Sequence, residues 1–166
     1  MWEAVIKVLG RNPGQVRVAR LMLKLGLRVT DENLYCGDIR LGDVAVGRAA
    51  GVDRRVVRAA ASNISAHAEL LGFFERLSPV ANLSGVASAM GWSTLEITSD
   101  DATQPGILAD VSRIISEAGI SIRQAIVEDP ELTEVPKLFV VTQGELPPAL
   151  IPALRNARGV REITLR

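Results

Sequence analysis

The spacing of apolar residues changes character at Gly91-Trp92, and this change constrains the chain more than any other feature. Before it, apolar positions recur at helical intervals: Val16, Ala19, Leu23 and Leu27, then Val56, Val57, Ala60, Ala61 and Ile64, then Leu70, Leu71 and Phe74. After it, short alternating or β-branched runs take turns with helical ones. A single regular layer cannot satisfy both patterns. With 166 residues, 48% of them hydrophobic, the chain has enough apolar material for two small cores. The expected organisation is a helical domain over 1–78, a connecting segment over 79–91 and a mixed domain over 92–166.

In the first half, Trp2 to Leu9 predicts one or two helical turns stopped at Gly10. Asn12 is placed to cap the next helix, with Pro13 in its first position, Gln15 three residues after the cap, and an end near Gly26. Arg28 to Leu41 mixes the turn-forming clusters Thr30-Asp31-Glu32-Asn33 and Gly37-Asp38 with Ile39-Arg40-Leu41, which fits a short strand. Asp43 and Asp53 are expected to cap two further helices separated by Gly51-Val52. Pro79 should end the last helix, and Val80 to Met90 is compatible with a short connecting one.

In the second half, Thr94 to Thr98 reads as a strand. Ile107, Leu108, Val111, Ile114, Ile115 and Ala118 read as a helix closed by Gly119. Ile120, Ile122 and Ile126 alternate as a second strand, Asp129-Pro130-Glu131 turns, and Leu138 to Thr142 gives a third strand. Leu150 to Ala157 forms a short helix that tolerates Pro152 only in its first turn, and Val160 to Leu165 is the last strand. The order β-α-β-β-α-β buries every apolar face if both helices cover one side of a four-stranded antiparallel sheet, the ferredoxin-like arrangement. The fold class is therefore α+β, an all-helical amino-terminal domain followed by a ferredoxin-like βαββαβ domain.

Ser99 to Gly106 links the first strand of this domain to its helix, with Pro105 expected at the first helical position. Gly106 lets a ligand approach the backbone, and the unpaired N–H groups at the helix start favour a carboxylate such as that of an amino acid. The Pro105-Gly106-Ile107-Leu108 string after a strand, the Ala118-Gly119-Ile120-Ser121-Ile122 turn and the terminal Gly159-Val160-Arg161-Glu162-Ile163 together resemble the ACT family over residues 92–166. That resemblance implies paired or clustered domains and a small effector, commonly an amino acid, bound at a domain interface beside this loop. Carried over by position, it implies a site of Asp101, Thr103, Gln104, Pro105, Gly106, Ile107 and Leu108, with Ser121 reaching in from a neighbouring domain. Thr103 stands where the family often has aspartate, and Ser121 where it often has asparagine. An effector's ammonium group would then need Asp100, Asp101 or backbone carbonyls.

The helices around Gly51-Val52-Asp53 resemble a helix-turn-helix, with Gly47 at the crossing, Gly51 in the turn and Val57 as the apolar contact. The resemblance implies that Arg54, Arg55 and Arg58 lie early on a recognition helix, able to reach guanine edges or phosphates of double-stranded DNA. Charge is divided in the same sense: residues 1–92 carry 12 Lys/Arg against 8 Asp/Glu, whereas residues 93–166 carry 7 against 11.

Other chemistries find little support. The single Cys36 forms no internal disulfide, and with only one histidine, His67, expected on the border of an apolar helix face, no zinc site is expected. No paired nucleophile and base, metal cluster or phosphate-binding glycine loop is evident, so neither enzymatic activity nor a cofactor is expected. No apolar run spans a membrane and no signal peptide is evident, which points to a cytoplasmic protein. The combination resembles archaeal regulators of amino-acid metabolism: a homo-oligomer through ACT domains whose effector alters DNA binding. A regulatory subunit that senses a metabolite and docks onto an enzyme is the alternative. A leucine-responsive type of regulator also joins a helix-turn-helix to a β-α-β-β-α-β domain, but the Pro-Gly loop suits ACT better.

Overall fold

The computed structural model describes residues 1–166 and divides into two compact units, Met1–Ala81 and Asn82–Arg166. The first unit contains α1 (Trp2–Leu9), α2 (Pro13–Leu25), β1 (Arg28–Thr30), β2 (Asn33–Cys36), β3 (Ile39–Arg40), α3 (Asp43–Ala50), α4 (Arg54–Ala66) and α5 (Ala68–Phe74). Asn12 caps α2 as its sequence position requires, its Oδ1 accepting from Gly14 N at 3.0 Å and Gln15 N at 3.3 Å. Gln15 does not reach back in a capping box. Its Oε1 instead accepts from Asn63 Nδ2 at 2.8 Å, tying α2 to α4. Gly26 ends α2 in the left-handed conformation.

The expectation of an all-helical first domain is corrected by the β1-β2-β3 sheet, which is antiparallel throughout. Its strands hold two to four residues each, too few for an alternation to show in the sequence. Arg28 organises it. The guanidinium lies 4.8 Å from the centroid of the cross-strand neighbour Tyr35 and donates to Gly37 O, Thr30 Oγ1 and Asp38 Oδ1. Val29 and Leu34 are buried with Val18, Met22, Val57, Ile64 and Phe74 in the core of this unit. His67 is exposed at the α4–α5 junction, its Nδ1 2.7 Å from Asn63 O.

The second unit contains β4 (Ser93–Ser99), α6 (Ile107–Glu117), β5 (Ile122–Val127), β6 (Lys137–Thr142), α7 (Ile151–Arg155) and β7 (Val160–Leu165). The sheet order is β5-β6-β4-β7, all neighbours antiparallel, as the split β-α-β pattern requires. Leu95, Ile97, Leu138 and Val140 project from the two central strands into a core completed by Val111 and Ile115 of α6 and Leu154 of α7. Pro152 lies in the first turn of α7, where a missing N–H costs nothing.

Val80 to Met90, whose sequence is compatible with a short connecting helix, forms only a 3-10 turn at Ser88–Met90. From Asn82 the segment joins the second unit. Leu83 N donates to Gln124 Oε1 at 2.8 Å, Thr94 Oγ1 donates to Ser84 O at 3.0 Å, and Ala87 is buried. Trp92 follows directly, with the Arg123 guanidinium 4.8 Å from its ring centroid. No helix of the chain is long and apolar enough to cross a membrane.

Candidate functional site

The turn from β4 to α6 is built by its own side chains. Asp101 Oδ1 accepts from Thr103 N at 2.9 Å and from Thr103 Oγ1 at 2.6 Å. These two bonds, the hydroxyl's first, hold the exposed Asp101 carboxyl below the usual carboxylate range. Asp100 N donates to Gly159 O at 3.1 Å, joining the turn to the start of β7.

The helix start differs from expectation. Pro105 is not the first helical residue: Gly106 is the N-cap, with φ of 99° and no side-chain cap bond, and α6 begins at Ile107. That φ lies outside the range open to a residue with a β-carbon at ordinary cost, so glycine is required there. Asp110 N is satisfied by Gly106 O at 2.9 Å, which leaves the preceding amides of the first turn without a partner inside the helix.

Beneath this turn lies a cavity of about 150 Å³. Gln104, Gly106, Ile107 and Leu108 line it on one side, and residues from the facing ends of β5 and β6, among them Val127 and Leu138, on the other. Asp101, Thr103 and Pro105 lie outside the lining. Ser121 precedes β5 at the Thr142 end of β6, whereas the cavity sits at the Lys137–Leu138 end. Five residues of strand separate Ser121 from Val127, roughly 20 Å. One chain therefore does not bring Ser121 to the loop.

Two charged residues that sequence reasoning passed over stand beside these elements. Glu128, just after β5, is half-buried and lines the cavity. Arg158, in the turn before β7, places Nη1 3.3 Å from where a β-carbon on Gly106 would lie, and its Nε is 3.6 Å from Asp110 Oδ2. Gly159, with φ of 68°, leaves room for Gln104 and Ile107; a β-carbon there would stand 2.7 Å from Gln104 Oε1 and 3.1 Å from Ile107 Cγ1. The only sequence signal for these positions was the Gly159-Val160 pair.

A strand, a polar turn ending in Pro-Gly, a helix, and a β5-β6-β4-β7 sheet around such a cavity agree with a family match over part of the chain. Residues 96–159 match the ACT domain. Among solved structures, a homoserine dehydrogenase from Thiobacillus denitrificans is 16% identical with a TM-score of 0.37, the match covering 69% of this chain and 28% of that one. The chain thus aligns with just over a quarter of that enzyme's length. A Gly102Thr mutant of Rv3291c is 17% identical with a TM-score of 0.31, covering 90% and 88% of the two chains. PH0061 is 8% identical with a TM-score of 0.29, covering 92% and 88%. No curated protein matches.

In the first unit, α3 and α4 pack against each other. A β-carbon on Gly47 would lie 2.7 Å from Val52 O, Gly51 is left-handed, and Val57 is fully buried. Asp53 Oδ1 accepts from Arg55 N at 2.8 Å, capping α4. Asp43 does not cap α3. It is the first helical residue, after Gly42, and its Oδ2 accepts from Arg58 Nη2 at 2.9 Å and Nε at 3.2 Å. Arg54, Arg55 and Arg58 are all exposed and line one concavity together with Glu32 from the β1–β2 turn.

Proposed function

We propose that the chain is a non-catalytic, metabolite-sensing regulator of amino-acid metabolism, acting in the cytoplasm without a cofactor. A small effector, an amino acid or a close relative, binds at the Gln104–Leu108 loop of the ACT domain. The cavity beneath that loop carries the reading: a preformed, mostly apolar hollow next to a helix start whose first amides have no intrahelical partner suits a small molecule with one apolar and one anionic end.

A second copy of the chain completes the site. Leu108, Val127 and Val135 are exposed apolar residues, the first two of them in the cavity lining, which favours a covering surface. A partner could bring its own Ser121 where one chain cannot. A thermal-shift screen of the twenty amino acids tests the sensor. A ligand at 100 times its Kd adds about 2.7 kcal/mol, which raises Tm by roughly 10–20 °C for a domain of this size. No shift from any of the twenty or from the common intermediates of their metabolism, screened alongside, would refute the reading.

The output is proposed to run through α4, as the recognition helix of a helix-turn-helix, with Arg54, Arg55 and Arg58 on DNA. The Gly47–Val52 approach and the Asp53 cap support this reading. A second reading, docking onto an enzyme, is favoured by the acidic neighbours of the same arginines: Asp43 holds Arg58, Asp53 lies 3.9 Å from Arg55, and Glu32 shares their concavity. Gel retardation of the protein's own promoter DNA separates the two. Loss of binding in an Arg54→Ala/Arg55→Ala variant supports the DNA reading, and absence of binding by the unaltered protein favours docking.

A further inference from the structure

The cavity lining also bears on which amino acid the site takes. Eight of its residues offer apolar surface or bare backbone: Ile97, Ala102, Gly106, Ile107, Leu108, Val127, Pro136 and Leu138. A hollow of about 150 Å³ with such walls holds a group of roughly benzene size, which corresponds to a branched aliphatic side chain and not to a whole amino acid. The polar part of the ligand must then lie toward the open side, marked by the exposed Gln104, Leu108 and Val127.

Glu128 is the one carboxylate in that lining. Its position is fixed by the backbone of β6: its N donates to Lys137 O at 3.0 Å, and its Oε2 accepts from Lys137 N at 3.1 Å. Its Oε1 accepts no bond within the protein. Lys137, the one cation of the lining, does not neutralise it, because the Lys137 ammonium is drawn to Glu96 Oε2 at 3.2 Å. In the loop, Thr103 stands where the ACT family often has aspartate, Asp101 is engaged by that threonine, and both lie outside the cavity lining. The half-buried charge available to an ammonium group thus comes from the β5–β6 connection and not from the loop.

We propose that the site selects an α-amino acid with a branched aliphatic side chain, the side chain seated in the cavity and the ammonium group donating to Glu128. This rests on the sensor reading above and adds to it the ligand class and the residue that distinguishes an amino acid from the corresponding oxo acid. A charged hydrogen bond in a partly desolvated site is worth about tenfold or more in affinity.

Calorimetry on the full chain tests this with L-leucine, 4-methyl-2-oxopentanoate, which has the same skeleton without the ammonium, and L-aspartate. The expected result is that leucine binds about tenfold or more tightly than the oxo acid and that aspartate does not bind. Glu128→Gln keeps an oxygen to accept from Lys137 N, so the fold is retained, as circular dichroism will check. In that variant the preference for leucine over the oxo acid should vanish while the oxo acid binds as before. A Leu138→Phe variant, which fills the cavity from the β6 side, should weaken both. Unchanged discrimination in Glu128→Gln, or binding of aspartate in place of leucine, overturns the proposal and leaves the sensor reading standing. Failure of all twenty amino acids and of those intermediates to bind overturns both.

Discussion

A comparison of two glycines in the ACT domain measures how tightly the candidate site is packed. Gly119 and Gly159 both hold positive φ, 73° and 68°, so alanine at either incurs the same left-handed penalty of about 1–2 kcal/mol. Their surroundings differ. Nothing lies within 4 Å of a β-carbon at Gly119, whereas one at Gly159 meets Gln104 Oε1 at 2.7 Å and Ile107 Cγ1 and Cδ1 at 3.1 and 3.2 Å. Gln104 is exposed and can swing aside, but Ile107 is only 8% exposed and seated in the core. Displacing it adds an overpacking cost of about 1–3 kcal/mol. Gly159→Ala should therefore destabilise the domain by that much more than Gly119→Ala. Native-state hydrogen exchange at the Leu95 and Val140 amides, in the central strands, reads this unit without interference from the other. A difference between the two variants below about 0.5 kcal/mol would refute the packing argument, because only the shared backbone penalty would then remain.

Other consequences are independent of this one. Asn12→Ala removes a side chain that satisfies two amides of α2 and should cost about 1 kcal/mol in urea-monitored stability of the first unit. Ile115→Ala, at a fully buried position under the sheet, should cost about 2–5 kcal/mol by the same measurement on the second. Thr103→Val removes the hydroxyl bond that contributes most to the lowered pKa of Asp101, so NMR titration should find that pKa raised toward the ordinary value. The sign follows from the depressed folded value: the turn's stabilisation by Asp101 is present above the unfolded carboxylate pKa and is lost as pH falls through the folded one.

What could be read from the sequence was whatever repeats within a few residues. The α2, α4 and α6 stripes were legible, as were the Asn12 and Asp53 caps and the strand alternations, because each is set by spacing of one to four positions. Of the three-stranded sheet of the first unit only the last strand was, from Ile39-Arg40-Leu41; the other two are shorter than a recognisable alternation, and Arg28 joins them through space. Asp43 looked like a cap because acidic residues before apolar runs usually are; its bond to Arg58 depends on how α3 and α4 cross. At the site, Gln104 to Leu108 could be located from the Pro105-Gly106-Ile107-Leu108 string taken together with the Ala118–Ile122 and Gly159–Ile163 segments. Glu128 and Arg158 lie 20 residues or more from that loop in sequence, and only the β5-β6-β4-β7 order and the turn into β7 bring them to it.

The central claim is that the loop and cavity of the ACT domain receive the effector, and backbone NMR of the protein tests it directly. On titration with whichever amino acid raises Tm, the account predicts that the largest shifts fall on the amides of Gly106, Ile107 and Leu108 and of Val127 and Glu128 across the cavity. Shifts concentrated instead on Ile114, Ala153 and Ala157, which line a separate groove between α6 and α7, would contradict it.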